Sequence, residues 1–432
     1  MLLGEGAASH TIDDAQRDAL VERCLDAWAS DEVKRVLLVP PDHTRLNSFA
    51  GPITATMYAL LTRRGVAVDV LPALGTHKAM TPEKLRMMFG ESIPLERFLV
   101  HRWDEGLEQL GTIDGGEVDA LSEGRLGRAG ITEDMPIAVN PRLVSDAYGL
   151  VVSIGQVVPH EVIGMANYTK NLMIGVGGKP VIDRSHFLGA VYGMERIMGR
   201  ADTPVRTLLN AAFDRFVRPR ANVRFVLTVV EDLPGDGATL RGFYAGDDDA
   251  TFRAAADLSK VVNFDTVDEP IETCVVYLDP EEFTSTWLGM KAVYRTRMAM
   301  ADGGRLIVLA PGLEEFGENP RTDPLIRKYG YRGTERTLDL LAEHDDLRSE
   351  TSVAAHLIHG SSEGRFGVTY ATGDAVSEAD VRGVGIDWMR YGDAVQTYDP
   401  EKLSAGWNDV AGKRVFFVPN PALGLWALRG RV

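Results

Sequence analysis

The sequence is short of several things. Its 432 residues hold two cysteines, Cys24 and Cys274, no apolar run approaching the ~18 residues that cross a bilayer, no internal repeat and no low-complexity tract. The cysteines lie far apart and form neither a CxxC nor a zinc-type pair, so buried reduced thiols are expected and a disulfide scaffold is excluded. The stretch Met1 to Asp14 has neither a basic n-region nor an apolar h-region, which reads against a signal peptide and for a cytoplasmic protein. Basic residues are outnumbered, 46 Lys and Arg against 62 Asp and Glu, for a net charge of −16. That balance argues against nucleic acid or an anionic membrane as partner, although a locally basic pocket for a small anion is compatible with it.

What is present is the pattern of an α/β protein. Apolar runs such as Val36–Val39, Val66–Leu71, Leu150–Ile154 and Val223–Glu231 alternate with helix-like segments, Pro52–Leu61 and Asp247–Val262 among them. Leu99–Trp103 reads as a further strand and Ala190–Met198 as a helix. Thr81-Pro82-Glu83 opens a helix with a cap, a proline at the first position and an acid in the first turn. The polar segment 263–271, with Pro270, separates a larger domain, 1–268, from a smaller one, 269–432. In the second, strand Cys274–Leu278, helix Phe283–Ala299, strand Leu306–Ala310, two helices between Asp323 and Leu357, and a last strand Val415–Val418 are expected. Two α/β domains place the active site in the interdomain cleft.

Four histidines, His43, His77, His160 and His186, fall in or near loops after expected strands, where α/β folds put reactive side chains. His43 belongs to Asp42-His43-Thr44-Arg45, a set suited to a phosphate or to a capped turn. His77 follows Gly75-Thr76. The stretch from Pro159-His160 through Lys170 and the glycine-rich Gly175-Val176-Gly177-Gly178-Lys179 to Arg184 and His186 gathers imidazoles, cations and flexible backbone. On residues alone it suits a metal site, a phosphate cradle or a general acid/base pair.

Taken together, these blocks resemble the nickel-dependent lactate racemase family and its wider set of 2-hydroxy-acid racemases and epimerases. Asp42 and Arg45, Gly75-Thr76-His77, Pro159-His160 with Gly164 and Lys170, His186 sixteen residues beyond that lysine, and Trp287-Leu288-Gly289-Met290-Lys291 keep the family's order and spacing. The resemblance implies a nickel pincer nucleotide joined covalently to Lys170, with nickel held by cofactor sulfurs, a pyridinium carbon and His186. It implies His77 and His160 as acid/base groups, Lys291 as the cation for substrate carboxylate or oxyanion, and Asp42, Thr44 and Arg45 beside the cofactor phosphate. Trp287 and Leu288 would line the substrate. The partners implied are a small 2-hydroxy acid and the enzymes that make the cofactor. Lys179 is the rival tether, and Lys170 is preferred for its spacing to His160 and His186.

The lactate-specific members carry Tyr and Gln where this chain has Trp287 and Leu288, a change that makes the wall apolar and shifts substrate preference. Asn167 and Tyr168 suit either a longer acid's hydroxyls or packing. Arg184 suits a substrate carboxylate or a structural ion pair. His356 and His359, three apart, read as a solvated helix face. The competing functions are a zinc hydrolase built on Asp42, His77, His160 and His186, and a non-catalytic binder of a phosphorylated metabolite.

Overall fold

Largely parallel strands flanked by helices form two six-stranded sheets, as the alternation of apolar runs with amphipathic segments requires. The computed structural model describes residues 1–233, 237–422 and 424–431. The chain divides into two compact units, the first of residues 1–121, 133–185 and 198–263, the second of 122–132, 186–197 and 264–432. Two short segments from the first 200 residues thus belong to the second unit, which a single boundary near 268 does not describe.

In the first unit the strand order is Leu3–Gly6, Gly237–Gly246, Val223–Leu233, Leu150–Gln156, Arg35–Val39, Ala67–Val70. The last four strands run parallel, and the first two pair antiparallel at one edge. Val36, Leu38, Val152, Ile154 and Val226 pack with Ile53 and Met57 of helix Ala50–Arg63 into one core. The continuous apolar runs of the central strands follow from burial on both faces. Thr81 caps helix Pro82–Phe89 and Asp248 caps helix Asp249–Val262, as their sequences signal.

Two expected elements differ. Leu99–Trp103 is not a strand: Phe98 makes a lone bridge to Val70, and the chain then turns His101 inward, its Nε2 3.1 Å from the Gly177 carbonyl. The helix expected over 190–198 instead runs Lys179–Tyr192 and stops at Gly193, whose φ of 107° no helix accommodates.

In the second unit the order is Asp387–Arg390, Gly367–Thr372, Met300–Ala310, Ile271–Tyr277, Lys413–Val418, Gly406–Val410, parallel except for the last pair. Val275, Ile307, Leu309, Ala371, Val415 and Phe417 form its core. The single helix expected over 283–299 is two short ones, Thr286–Gly289 and Lys291–Thr296: the Ser285 cap leaves Phe283 and Thr284 in the loop, and the turn breaks at Met290, where ψ is −6°. Between 322 and 359 there are four helices rather than two, and strand Trp426–Leu428 follows the one expected to be last.

Candidate functional site

Three parallel strands of the first unit deliver the candidate side chains from their carboxyl ends, the usual place for ligands in open α/β sheets. Arg35–Val39 leads into Asp42, Ala67–Val70 into His77 and Leu150–Gln156 into His160. Gly75, at φ 55°, makes the tight turn before His77, and its N–H donates to the Gly175 carbonyl at 2.9 Å. A Cβ on Gly175 would lie 2.6 Å from the Ala73 Cβ, so glycine is needed for the two loops to meet.

Asp42 and His77 form a pair, with His77 Nδ1 and Asp42 Oδ2 2.6 Å apart. The other oxygen, Oδ1, accepts from the Thr44 hydroxyl at 2.6 Å and its N–H at 3.1 Å. Burial pushes the Asp42 carboxyl upward, but the hydrogen bonds from His77 and Thr44 outweigh it and hold it below its ordinary range. The same bond holds the His77 imidazole above its ordinary value, against partial burial and the nearby charges of Lys170 and Arg45. With Nδ1 committed to Asp42, Nε2 is the working end. Asp42, which the resemblance puts beside a phosphate together with Thr44, is thus engaged with both Thr44 and His77, and Arg45 is an exposed cation of the same turn.

His160 is set the other way. The Val162 N–H donates to its Nδ1 at 3.1 Å, and the Glu161 carboxylate stands 3.9 Å off, beyond hydrogen-bond reach. The neutral ring therefore carries its proton on Nε2. In their neutral forms His77 presents a lone pair on Nε2 and His160 a proton, a difference set by one carboxylate and one backbone amide.

Lys170 lies on the short helix Thr169–Met173, which the Asn171 amide pins to the Val39 carbonyl at 2.9 Å and the Ser153 hydroxyl at 3.0 Å. Before it, Asn167 and Tyr168 both take positive φ, 63° and 59°. That strained turn is held by Arg206, a buried cation donating to the Met165 and Asn167 carbonyls and the Thr169 hydroxyl at 2.6, 3.1 and 3.0 Å. Tyr168 packs on Phe225 and Phe252, and the Asn167 side chain accepts from the Tyr168 N–H, so both serve packing. Burial, with Arg45 nearby, pulls the Lys170 amine down to about 8. Lys179, the rival, is ion-paired with Asp183, and Arg184 donates to the Glu133 carbonyl.

The sequence did not single out Arg206 or Asn171. The signal for Arg206 was there: one arginine on the buried face of helix Pro204–Ala212, among Val205, Leu208 and Leu209.

In the second unit, Trp287 and Leu288 occupy the helix Thr286–Gly289, with the Trp287 N–H donating to the Phe316 carbonyl at 3.0 Å. Lys291 follows, its Nζ 5.3 Å from the centre of the Phe283 ring. His186, partly buried, is on helix Lys179–Tyr192 and falls in the second unit. His356 and His359 are both 8 % exposed, so they are not a solvated face. Among the described residues no three His, Cys, Asp or Glu side chains gather as a metal set, whereas a zinc hydrolase needs at least three protein ligands. No helix of the described residues is long and apolar enough to cross a membrane.

Fold and site together define an α/β protein that presents an Asp-oriented histidine and a depressed lysine at the strand ends. Residues 6–197 match the family described as the lactate racemase N-terminal domain. The whole chain is similar to a Thermotoga maritima protein of known structure, with 26 % identity, 98 % of this chain and 100 % of the other covered, and a TM-score of 0.76. It shares its fold with the lactate racemase apoprotein from Thermoanaerobacterium thermosaccharolyticum, at 15 % identity, 98 % and 94 % coverage and a TM-score of 0.67. No curated protein matches at a comparable level.

Proposed function

We propose that the protein inverts the configuration at C2 of a small 2-hydroxy acid, with Lys170 as the attachment point of a nickel pincer nucleotide. The observation that carries this is the Lys170 amine itself: partly buried, with no hydrogen bond or ion pair among the described residues, and drawn toward its neutral form in the segment that matches the lactate racemase domain. A neutral amine is what an amide-type bond to a cofactor requires. Arg45, whose charge reaches Lys170, suits the nucleotide's phosphate, and His186 is the metal ligand by resemblance. Both cysteines are buried with their thiols pushed up, so soft sulfur donors would come with the cofactor.

When bound, that cofactor supplies a reversible acceptor for a hydride. The chain's own residues handle protons and charge. His77 Nε2 takes the hydroxyl proton as the C2 hydrogen departs with its electron pair, leaving a planar 2-keto acid. His160 holds a proton on Nε2 for the same oxygen, so return of hydride to the other face and of a proton from His160 gives the opposite configuration. The histidines exchange duties for the other enantiomer. Lys291 offers its ammonium to the substrate carboxylate, and Trp287 and Leu288 supply an apolar wall.

The test is intact-mass, peptide and metal analysis of protein made together with the cofactor-synthesising enzymes. The expected result is an added nucleotide mass on the Lys170 peptide and about one nickel per chain; a chain with neither contradicts the reading.

A further inference from the structure

Behind Trp287 a line of polar groups runs into the interior of the second unit. The Thr286 hydroxyl donates to the Phe316 carbonyl at 2.7 Å, and a carbonyl can only accept. The 2.8 Å contact between Thr286 Oγ1 and Tyr331 Oη must therefore use the tyrosine's proton. That in turn makes Tyr331 Oη the acceptor in its 2.8 Å contact with His356 Nε2. The chain of donors is fixed in one direction, His356 to Tyr331 to Thr286 to Phe316, and it fixes the histidine as the Nε2–H tautomer. Nδ1 is left with a lone pair. No hydrogen bond to it is found among the described residues, and the residue keeps 8 % of its surface exposed. The imidazole ring stacks on the Trp287 indole, centroids 4.4 Å apart at 28°. Burial, with His359 nearby, pulls His356 down to about 3, so the lone pair persists at every working pH.

We infer that His356 is a specificity residue whose Nδ1 accepts a hydrogen bond from a second hydroxyl of the substrate, so that the substrate class is 2-hydroxy acids bearing a further hydroxyl on the chain. This rests on Trp287 and Leu288 forming the substrate wall, as proposed above. The wall offers an aromatic face, an isobutyl group and this one lone pair. A plain alkyl chain leaves that acceptor unpaired, whereas a hydroxylated chain satisfies it. Tyr331 is a positioning residue: it holds the tautomer without touching the substrate.

The experiment compares 2,3-dihydroxypropanoate with 2-hydroxypropanoate, and 2,4-dihydroxybutanoate with 2-hydroxybutanoate, using cofactor-loaded protein. In at least one pair the dihydroxy acid should be preferred about tenfold in kcat/KM, the factor that one hydrogen bond supplies. His356→Gln keeps a donor for Tyr331 and removes the Nδ1 acceptor, and it should abolish that preference. Tyr331→Phe frees the tautomer and should weaken the preference. Inversion with no preference in either pair, or with a preference that both variants retain, overturns the inference and leaves the proposed function standing. Failure to invert any of the four acids takes down the proposed function and this inference with it. Independently of folding of the variants and of activity, 15N NMR of the cofactor-free protein should show a pyridine-type Nδ1 and a pyrrole-type Nε2 at His356. The reverse assignment overturns the inference.

Discussion

The imidazole of His77 is 57 % exposed, yet its Nδ1 rests 2.6 Å from the carboxylate of Asp42, which is 4 % exposed. A buried anion thus orients a ring whose other nitrogen is open to a ligand, and it raises that ring's proton affinity.

Asp42→Asn removes the anion while keeping the shape. The His77 pKa should fall, so the acid limb of the pH–rate profile moves to lower pH, and kcat/KM at its optimum should drop by about 10- to 100-fold through loss of orientation. NMR titration of His77 in the cofactor-free protein checks the shift without turnover. His77 folded has a pKa above its unfolded value, so the stability it contributes is full below about 6.5 and is lost as pH rises through the folded value. The Asn variant should lose that pH dependence.

Lys170 carries the opposite sign. Its folded pKa of about 8 lies below the ordinary 10.5, so the folded chain pays a penalty that is complete below about 8 and vanishes as pH rises toward 10.5. At about 1.4 kcal/mol per pH unit the shift corresponds to at most about 3.5 kcal/mol. Lys170→Met should therefore stabilise the cofactor-free protein at pH 7 by about 1–3 kcal/mol in urea unfolding, while preventing cofactor attachment.

Arg206 should behave as a structural clamp. Arg206→Met leaves the carbonyls of Met165 and Asn167 and the Thr169 hydroxyl without their donor, and unfolding should show a loss of about 3 kcal/mol or more. Arg206→Lys, which restores one charge but not the fork, should recover part of it. Both should slow cofactor attachment, because the turn before Lys170 is strained and Arg206 holds it.

The parallel strands and the loops bearing Asp42, His77 and His160 were legible because buried strands read as unbroken apolar runs and α/β sheets put functional loops at their carboxyl ends. What was not legible depends on contacts distant in sequence. Asp42 reaches His77 across 35 residues, and Arg206 reaches Met165 across 41, so neither pairing leaves a periodic trace. The helix expected over 283–299 starts late because Ser285 caps it, and it breaks at Met290, whose ψ of −6° departs from the helical value. His356 looked solvated because histidine is polar, but its helix, Thr351–His359, buries Val353, Leu357 and Ile358 beside it and gives the ring a tyrosine partner.

The proposed reaction inverts C2 without exchange of the C2 hydrogen. The direct measurement uses the cofactor-loaded protein with a single enantiomer of a 2-hydroxy acid deuterated at C2, in ordinary water, followed by chiral separation and mass analysis. The account predicts the opposite enantiomer with deuterium retained at C2, as hydride return requires; inversion with the label washed out, or no inversion of any 2-hydroxy acid, contradicts it.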